Sequence, residues 1–133
     1  MAYERIVQRI GYIESELDLF EEWKPERKQD FLSDLKLQAA IERKMQNIIE
    51  AIIQICTQLV KLFNLGPPIS EDSIVELLKP KLKNYELIKE FKKFRNFLVH
   101  QYIKVDSEKI FKYLTHFQED TLKIITEFRD IID

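Results

Sequence analysis

Apolar residues recur every three or four positions along almost the whole chain, which is the period of a helix buried on one side. Tyr3, Ile6, Ile10, Ile13, Leu17 and Phe20 form the first such stripe, and Pro25 ends that segment or opens the next. A long periodic stretch follows from about Glu26 to Phe63, through Phe31, Leu35, Met45, Ile48, Ile49, Ile52, Cys56, Leu59 and Phe63. Gln38 and Glu42 break its seam where a plain core would take leucine. Asn64-Leu65-Gly66-Pro67-Pro68 is the strong breaker, joining a helix-terminating glycine to two prolines. Ser70 then caps a shorter helix with Glu71 and Asp72 in its first turn, where the macrodipole favours acids. Pro80 interrupts the pattern, and a helix resumes through Leu82, Tyr85, Ile88, Phe91 and Leu98 to about Tyr102. Asp106 and Ser107 supply an N-cap for a last helix carrying Ile110, Leu114, Phe117, Ile124, Phe128 and Ile131. Strand alternation is absent. The pattern predicts an all-α antiparallel bundle of four to five helices, one domain over residues 1–133.

Composition narrows the class. A chain of 133 residues, 45% hydrophobic and 33% charged, has enough apolar material for one core and too little length for two domains. Cys56 is the single cysteine, which rules out an internal disulfide and suits a reducing compartment. No apolar run approaches the roughly 18 residues of a membrane span, and the charged N-terminus lacks a signal-peptide core. The expectation is a cytoplasmic protein with no membrane partner. Net charge is −2, yet residues 79–95 hold seven basic residues against two acids, a local +5 that leaves −7 for the rest. Such a run is either a solvated helix face or a guide for a polyanion.

The basic run leads into FRNFLVHQY, residues 94–102, where polar groups interrupt an apolar helix. Arg95 lies seven residues from Ile88 and Tyr102, four from Phe91 and three from Leu98, so it falls inside the apolar stripe. A guanidinium there needs a carboxylate or a phosphate, because leaving it desolvated and unpaired costs several kcal/mol. Glu42 and Glu50 of the long helix are candidates for a structural partner. His100 falls on another stripe with Asn96, whose amide, four residues earlier, can orient the imidazole. Arg95 and His100 are separated by about 140° around a helix and about 7.5 Å along it. One chain therefore cannot bring both onto one small group unless the helix end distorts or a second copy completes the site. With His100 and His116 sixteen apart, no cysteine cluster and no glycine-rich phosphate loop, a metal or nucleotide-loop site is not expected. Cys56 belongs to the core stripe.

The run RNFLVHQY resembles the R-x4-H-x-Y signature of HEPN-domain proteins of the HepT-like toxin group. The likeness extends to AIERKMQNIIEAI (40–52), which is similar to the long helix of that family, to the Leu-Gly-Pro-Pro turn near residue 66, and to the Asp-Ser-Glu start of the last helix. The resemblance implies a HEPN-like fold and a homodimeric, metal-independent ribonuclease toxin that needs no cofactor. Its active site would form where two R-x4-H helices meet, which would also relieve the wheel problem. It further implies a MntA-type nucleotidyltransferase antitoxin, assembled with the toxin, that transfers AMP to Tyr102.

On that reading Arg95 binds the phosphate, His100 is the general acid or base, and Asn96 orients the imidazole or the phosphate. Lys89, Lys92 and Lys93 would hold flanking RNA phosphates, and Arg43 and Glu50 would line the cleft from the long helix. Two other readings stay open. A non-catalytic helical module could bind a nucleotide or a nucleotidyltransferase partner through the same arginine, and a purely structural bundle would tolerate Arg95→Met.

Overall fold

The computed structural model describes residues 1–67, 69–100 and 106–133. Among them are six helices: α1 (Ala2–Trp23), α2 (Lys28–Leu32), α3 (Leu35–Leu62), α4 (Glu71–Leu77), α5 (Tyr85–Val99) and α6 (Ser107–Ile132). The four long ones alternate in direction. Arg9 of α1 meets Gln54 of α3 while Glu16 meets Lys44 and Asn47, so the two run antiparallel. Glu14 with Arg129, and Phe20 with Phe117, set α6 antiparallel to α1. Asn84 with Glu127, and Phe94 with Tyr113, do the same for α5 and α6.

The stripes read from the sequence are the buried faces, except that Tyr3 and Leu35, in the first turns of α1 and α3, are exposed. Ile6, Ile10, Ile13, Leu17 and Phe20 of α1 pack on Met45, Ile48, Ile49, Ile52, Cys56 and Leu59 of α3, in one core shared with α5 and α6. Phe117 anchors the centre, with Phe20 and Phe91 ring centroids at 5.1 and 5.0 Å. Cys56 is fully buried, and burial pushes its thiol up to about 12, which makes it core and no nucleophile at neutral pH.

Three boundaries differ from expectation. The stretch from Glu26 to Phe63 is two helices rather than one. The chain leaves helical geometry at Asp34, whose side chain accepts from Leu37 N at 3.0 Å and starts α3 afresh. The amide of Gln38, an apparent flaw in the seam, is buried and donates to the carbonyls of Phe31 and Leu32 at 2.8 and 3.1 Å, capping the end of α2. Its Oε1 accepts from Ser107 Oγ at 3.0 Å, tying α6 to the same point.

At the end of α3 the left-handed residue is Asn64 (φ 54°), not the glycine. Asn64 N–H bonds Lys61 O and Leu65 N–H bonds Val60 O, the paired closure in which a residue of positive φ satisfies orphan carbonyls. Gly66, at φ 128°, turns the chain two residues later.

The helix after Pro80 begins at Tyr85 rather than Leu82, because a neighbour supplies its start. Glu127 of α6 accepts from the backbone N–H groups of Lys83 and Asn84 at 2.6 and 2.9 Å. Ser70 caps α4 as expected, with Ser73 returning the bond to Ser70 N–H. Among the described residues no helix is long and apolar enough to cross a membrane.

Candidate functional site

Lys89, Lys92 and Lys93 of the basic segment and the R-x4-H run are carried by α5, which ends at Val99 with His100 as its C-cap, whereas Lys79, Lys81 and Lys83 precede the helix. His100 N–H bonds Asn96 O at 3.0 Å. The helix buries Tyr85, Ile88, Phe91, Phe94 and Leu98, leaving Arg95 at the border of the covered face and Asn96 and His100 on the exposed one. The wheel separation of Arg95 and His100 therefore holds within this chain. Tyr102, and the expected continuation of the helix toward it, lie outside the described residues.

Arg95 is the most constrained of these groups, with a side chain only 12% exposed. Its fork faces Glu71 of α4. Nη1 lies 3.5 Å from Oε2, and Nη2 donates to Oε1. Of the carboxylates expected on α3, Glu50 reaches it, with Oε1 at 3.8 Å from Nη1. Nε donates to Asn96 Oδ1 at 3.0 Å, so the amide expected to serve the imidazole makes a bond to the guanidinium. Glu71 was legible only as a favourable acid at a helix start. Its pairing across 24 residues leaves no trace in the local pattern.

The lysines diverge. Lys92 pairs with Asp72, next to Glu71 in the first turn of α4. Lys89 lies 5.9 Å from the Tyr85 ring centroid. Lys93 is two residues from Arg95, about 160° away around the helix, and lines a separate hollow with Phe94, Phe97 and Tyr113. Lys92 is thus the one lysine of the three on the Arg95 side, and it and Arg95 meet the adjacent acids of α4.

On the α3 side, Glu50 also lines a hollow of about 350 Å³ between α1 and α3, together with Tyr12, Asn47 and Gln54. Arg43 is exposed two turns before Glu50 on the same stripe of α3, and close enough to Tyr12 for its charge to act on that hydroxyl. Burial first, then the Glu16 carboxylate, hold the Tyr12 hydroxyl above its usual value. Among the described residues no group of three or more histidine, cysteine, aspartate or glutamate side chains is placed to hold a metal. The arrangement offers one guanidinium whose terminal nitrogens meet carboxylates, hence replaceable by another oxyanion, and an exposed imidazole on the adjoining face.

Comparison with solved structures gives the fold independently. The chain superposes on a tyrosine-to-alanine mutant of the toxin–antitoxin pair MntA–HpeT with a TM-score of 0.83, at 21% identity, covering 95% of this chain and 98% of the other. A tri-AMPylated Shewanella oneidensis HEPN toxin in complex with its MNT antitoxin gives 0.83 at 22% identity, covering 95% and 97%. YutE, a cytosolic protein of unknown function from Bacillus subtilis, gives 0.76 at 22% identity, covering 97% and 89%. A comparison with curated protein sequences finds no match. The family described as Ribonuclease HepT-like matches residues 13–132, from the middle of α1 to the end of α6. With nearly its whole length matched, and the helical architecture of the HEPN toxins around its R-x4-H run, the chain belongs to the HepT-like ribonuclease family.

Proposed function

We propose that this protein is the toxin of a toxin–antitoxin pair, a metal-independent endoribonuclease that works as a homodimer with Arg95, Asn96 and His100 at the shared cleft. The observation that carries the reading is the state of Arg95. In a chain of a ribonuclease family, the arginine of the R-x4-H run is nearly covered and held by carboxylates from other helices. A phosphodiester is the natural replacement for such partners.

Glu71 is the carboxylate that yields: it and Glu50 are similarly exposed, but Glu71 stands on a helix of seven residues and Glu50 on the long α3. With the phosphate on Arg95, His100 takes the proton of the 2′-hydroxyl and O2′ attacks phosphorus. The P–O5′ bond breaks, leaving a 2′,3′-cyclic phosphate and a 5′-hydroxyl. The leaving oxygen takes its proton from the twin His100 of the dimer. An imidazole can both take and give a proton near neutral pH, which suits both roles. Arg95 stabilises the charge building on the phosphorane oxygens, and Asn96, bonded to Nε, keeps the fork aimed. Lys92 adds charge on the same side once Asp72 releases it, while Lys89 and Lys93 meet phosphates farther along the strand.

Neutralisation would follow from AMP transfer to Tyr102 by a MntA-type nucleotidyltransferase antitoxin bound in a hetero-oligomer. The added phosphate would compete for Arg95. The structural neighbours in complex with such antitoxins support this partner. The test is His100→Ala, assayed for RNA cleavage with chelator present and for growth arrest on expression. Loss of both with the fold intact is expected. Retention of both would leave a non-catalytic module that binds a nucleotide or a nucleotidyltransferase. Intact-mass measurement after co-expression with the antitoxin should show AMP additions that Tyr102→Phe removes.

A further inference from the structure

The hollow between α1 and α3 has a second property beyond its shared wall with the Arg95 cluster. Its volume, about 350 Å³, lies at the small end of the range for sites that enclose a small organic group, about 300–1,000 Å³. One aromatic ring stands at its rim. Tyr12 is 47% exposed, and its hydroxyl is anchored to Glu16 Oε1 at 3.2 Å. Glu16 is in turn fixed by Lys44 at 2.8 Å and Asn47 at 2.9 Å. The ring is therefore a pre-positioned platform rather than a loose side chain.

Amide and guanidinium groups surround it. Arg9 Nε donates to Gln54 Oε1 at 2.8 Å, which turns the carboxamide so that its nitrogen is left as a donor. The Gln54 nitrogen and the terminal nitrogens of Arg9 have no other partner among the described residues. Asn47 spends its nitrogen on Glu16 and keeps its oxygen as an acceptor. A flat face with donors and acceptors around it is what an unpaired nucleobase needs, since single-stranded RNA is read by stacking and by hydrogen bonds to base edges. A protein partner would call for a buried apolar anchor, and the lining offers Ala51 alone beside the tyrosine.

Position adds the remaining argument. Glu50 lies 3.8 Å from Arg95 on one side and lines the hollow on the other, so one side chain separates them. A single ribose separates a phosphate from its base. Resting on the ribonuclease reading, we propose that this hollow takes one unpaired base of the RNA whose phosphate Arg95 binds, with Tyr12 stacking on it and Gln54 and Arg9 meeting its edge.

The test is a cycle between base removal and side-chain removal, read as binding of the intact protein to a short single-stranded RNA made uncleavable by 2′-O-methylation. Each nucleotide is replaced in turn by an abasic one. The unaltered protein should lose about tenfold in affinity at one position, the worth of a stacked base. Tyr12→Leu and Gln54→Leu should flatten that loss, and Tyr12→Phe, which keeps the ring, should preserve it. An abasic scan that is flat in the unaltered protein, or unchanged in both leucine variants with folded spectra, overturns the proposal. Cleavage of unmodified RNA by Arg95→Gln is measured in parallel. Cleavage that depends on Arg95 together with an additive cycle sinks the base site alone. A coupled cycle with cleavage indifferent to Arg95 sinks the nuclease reading alone. Absence of any RNA binding at low salt sinks both.

Discussion

Two ionic clusters lie on different seams of this bundle, and they are built to opposite ends. Between α1 and α3, Glu16 is 7% exposed and takes hydrogen bonds from Lys44, Asn47 and Tyr12. Between α4 and α5, Arg95 is covered but its main partner Glu71 is not, and the helix bearing Glu71 is seven residues long. In the first case the acid is enclosed and three donors on two long helices surround it. In the second the base is enclosed and the acid can leave for water. A buried charge with a complete set of fixed partners is structural, whereas one whose counter-ion can exchange is ready for a ligand.

The comparison breaks most visibly at Arg95. Arg95→Gln should lower RNA cleavage by about 10²- to 10³-fold, the usual effect of removing a donor to a developing oxyanion. Its unfolding midpoint in urea should move little. A large loss of stability instead would make the two clusters alike. Glu16→Gln should show the reverse profile, a loss of about 2 kcal/mol in urea unfolding with an unchanged slope, because Lys44 is left half-buried without its carboxylate. Cleavage per folded molecule at saturating RNA should hold to within about twofold, since Glu16 meets Tyr12 at the hollow and not the Arg95 cluster.

Glu71→Gln sharpens the contrast from the acid side. Removing an exposed partner should cost under about 1 kcal/mol of stability. RNA binding should tighten severalfold, since the phosphate no longer competes with a full charge, and weaker binding would make Glu71 a positioning residue instead. The smallest effect is a pH dependence. Burial acts to raise the pKa of Glu16, but the hydrogen bonds from Lys44 and Asn47 outweigh it and hold the group below its usual value. Its contribution is therefore complete above the unfolded value, near ~4.3, and fades as pH falls through the lower folded one. The stability gap between the unaltered protein and Glu16→Gln should stay constant near neutrality and close below about pH 4.

Much of this architecture could be read from spacing, and the exceptions share a cause. The stripes of α1, α5 and α6, the cap at Ser70 and the burial of Cys56 all follow from local period or from residues next to a helix start. What escaped reading is the pairing of groups distant along the chain. Gln38 interrupts an apolar seam in sequence, yet in space it closes α2 and receives Ser107. Glu71 serves the dipole of its own helix in any local account, and its bond to Arg95 exists only because α4 folds against α5. The spacing of Arg95 from Phe91 and Leu98 put it inside the apolar stripe, and the structure sets it at the edge of that stripe, mostly covered. The divergence of Lys89, Lys92 and Lys93 was legible in principle from their angles, but the acid that meets Lys92 was not.

The grip of Glu127 on the start of α5 reaches beyond the cap itself. Its two oxygens hold peptide nitrogens, and thereby set how far the helix is pushed along its own axis without depending on which side chains decorate it. The guanidinium fifteen ångströms downstream, at roughly 1.5 Å per residue from Tyr85, thereby keeps its place against Glu71 and Glu50 whatever the intervening turns carry.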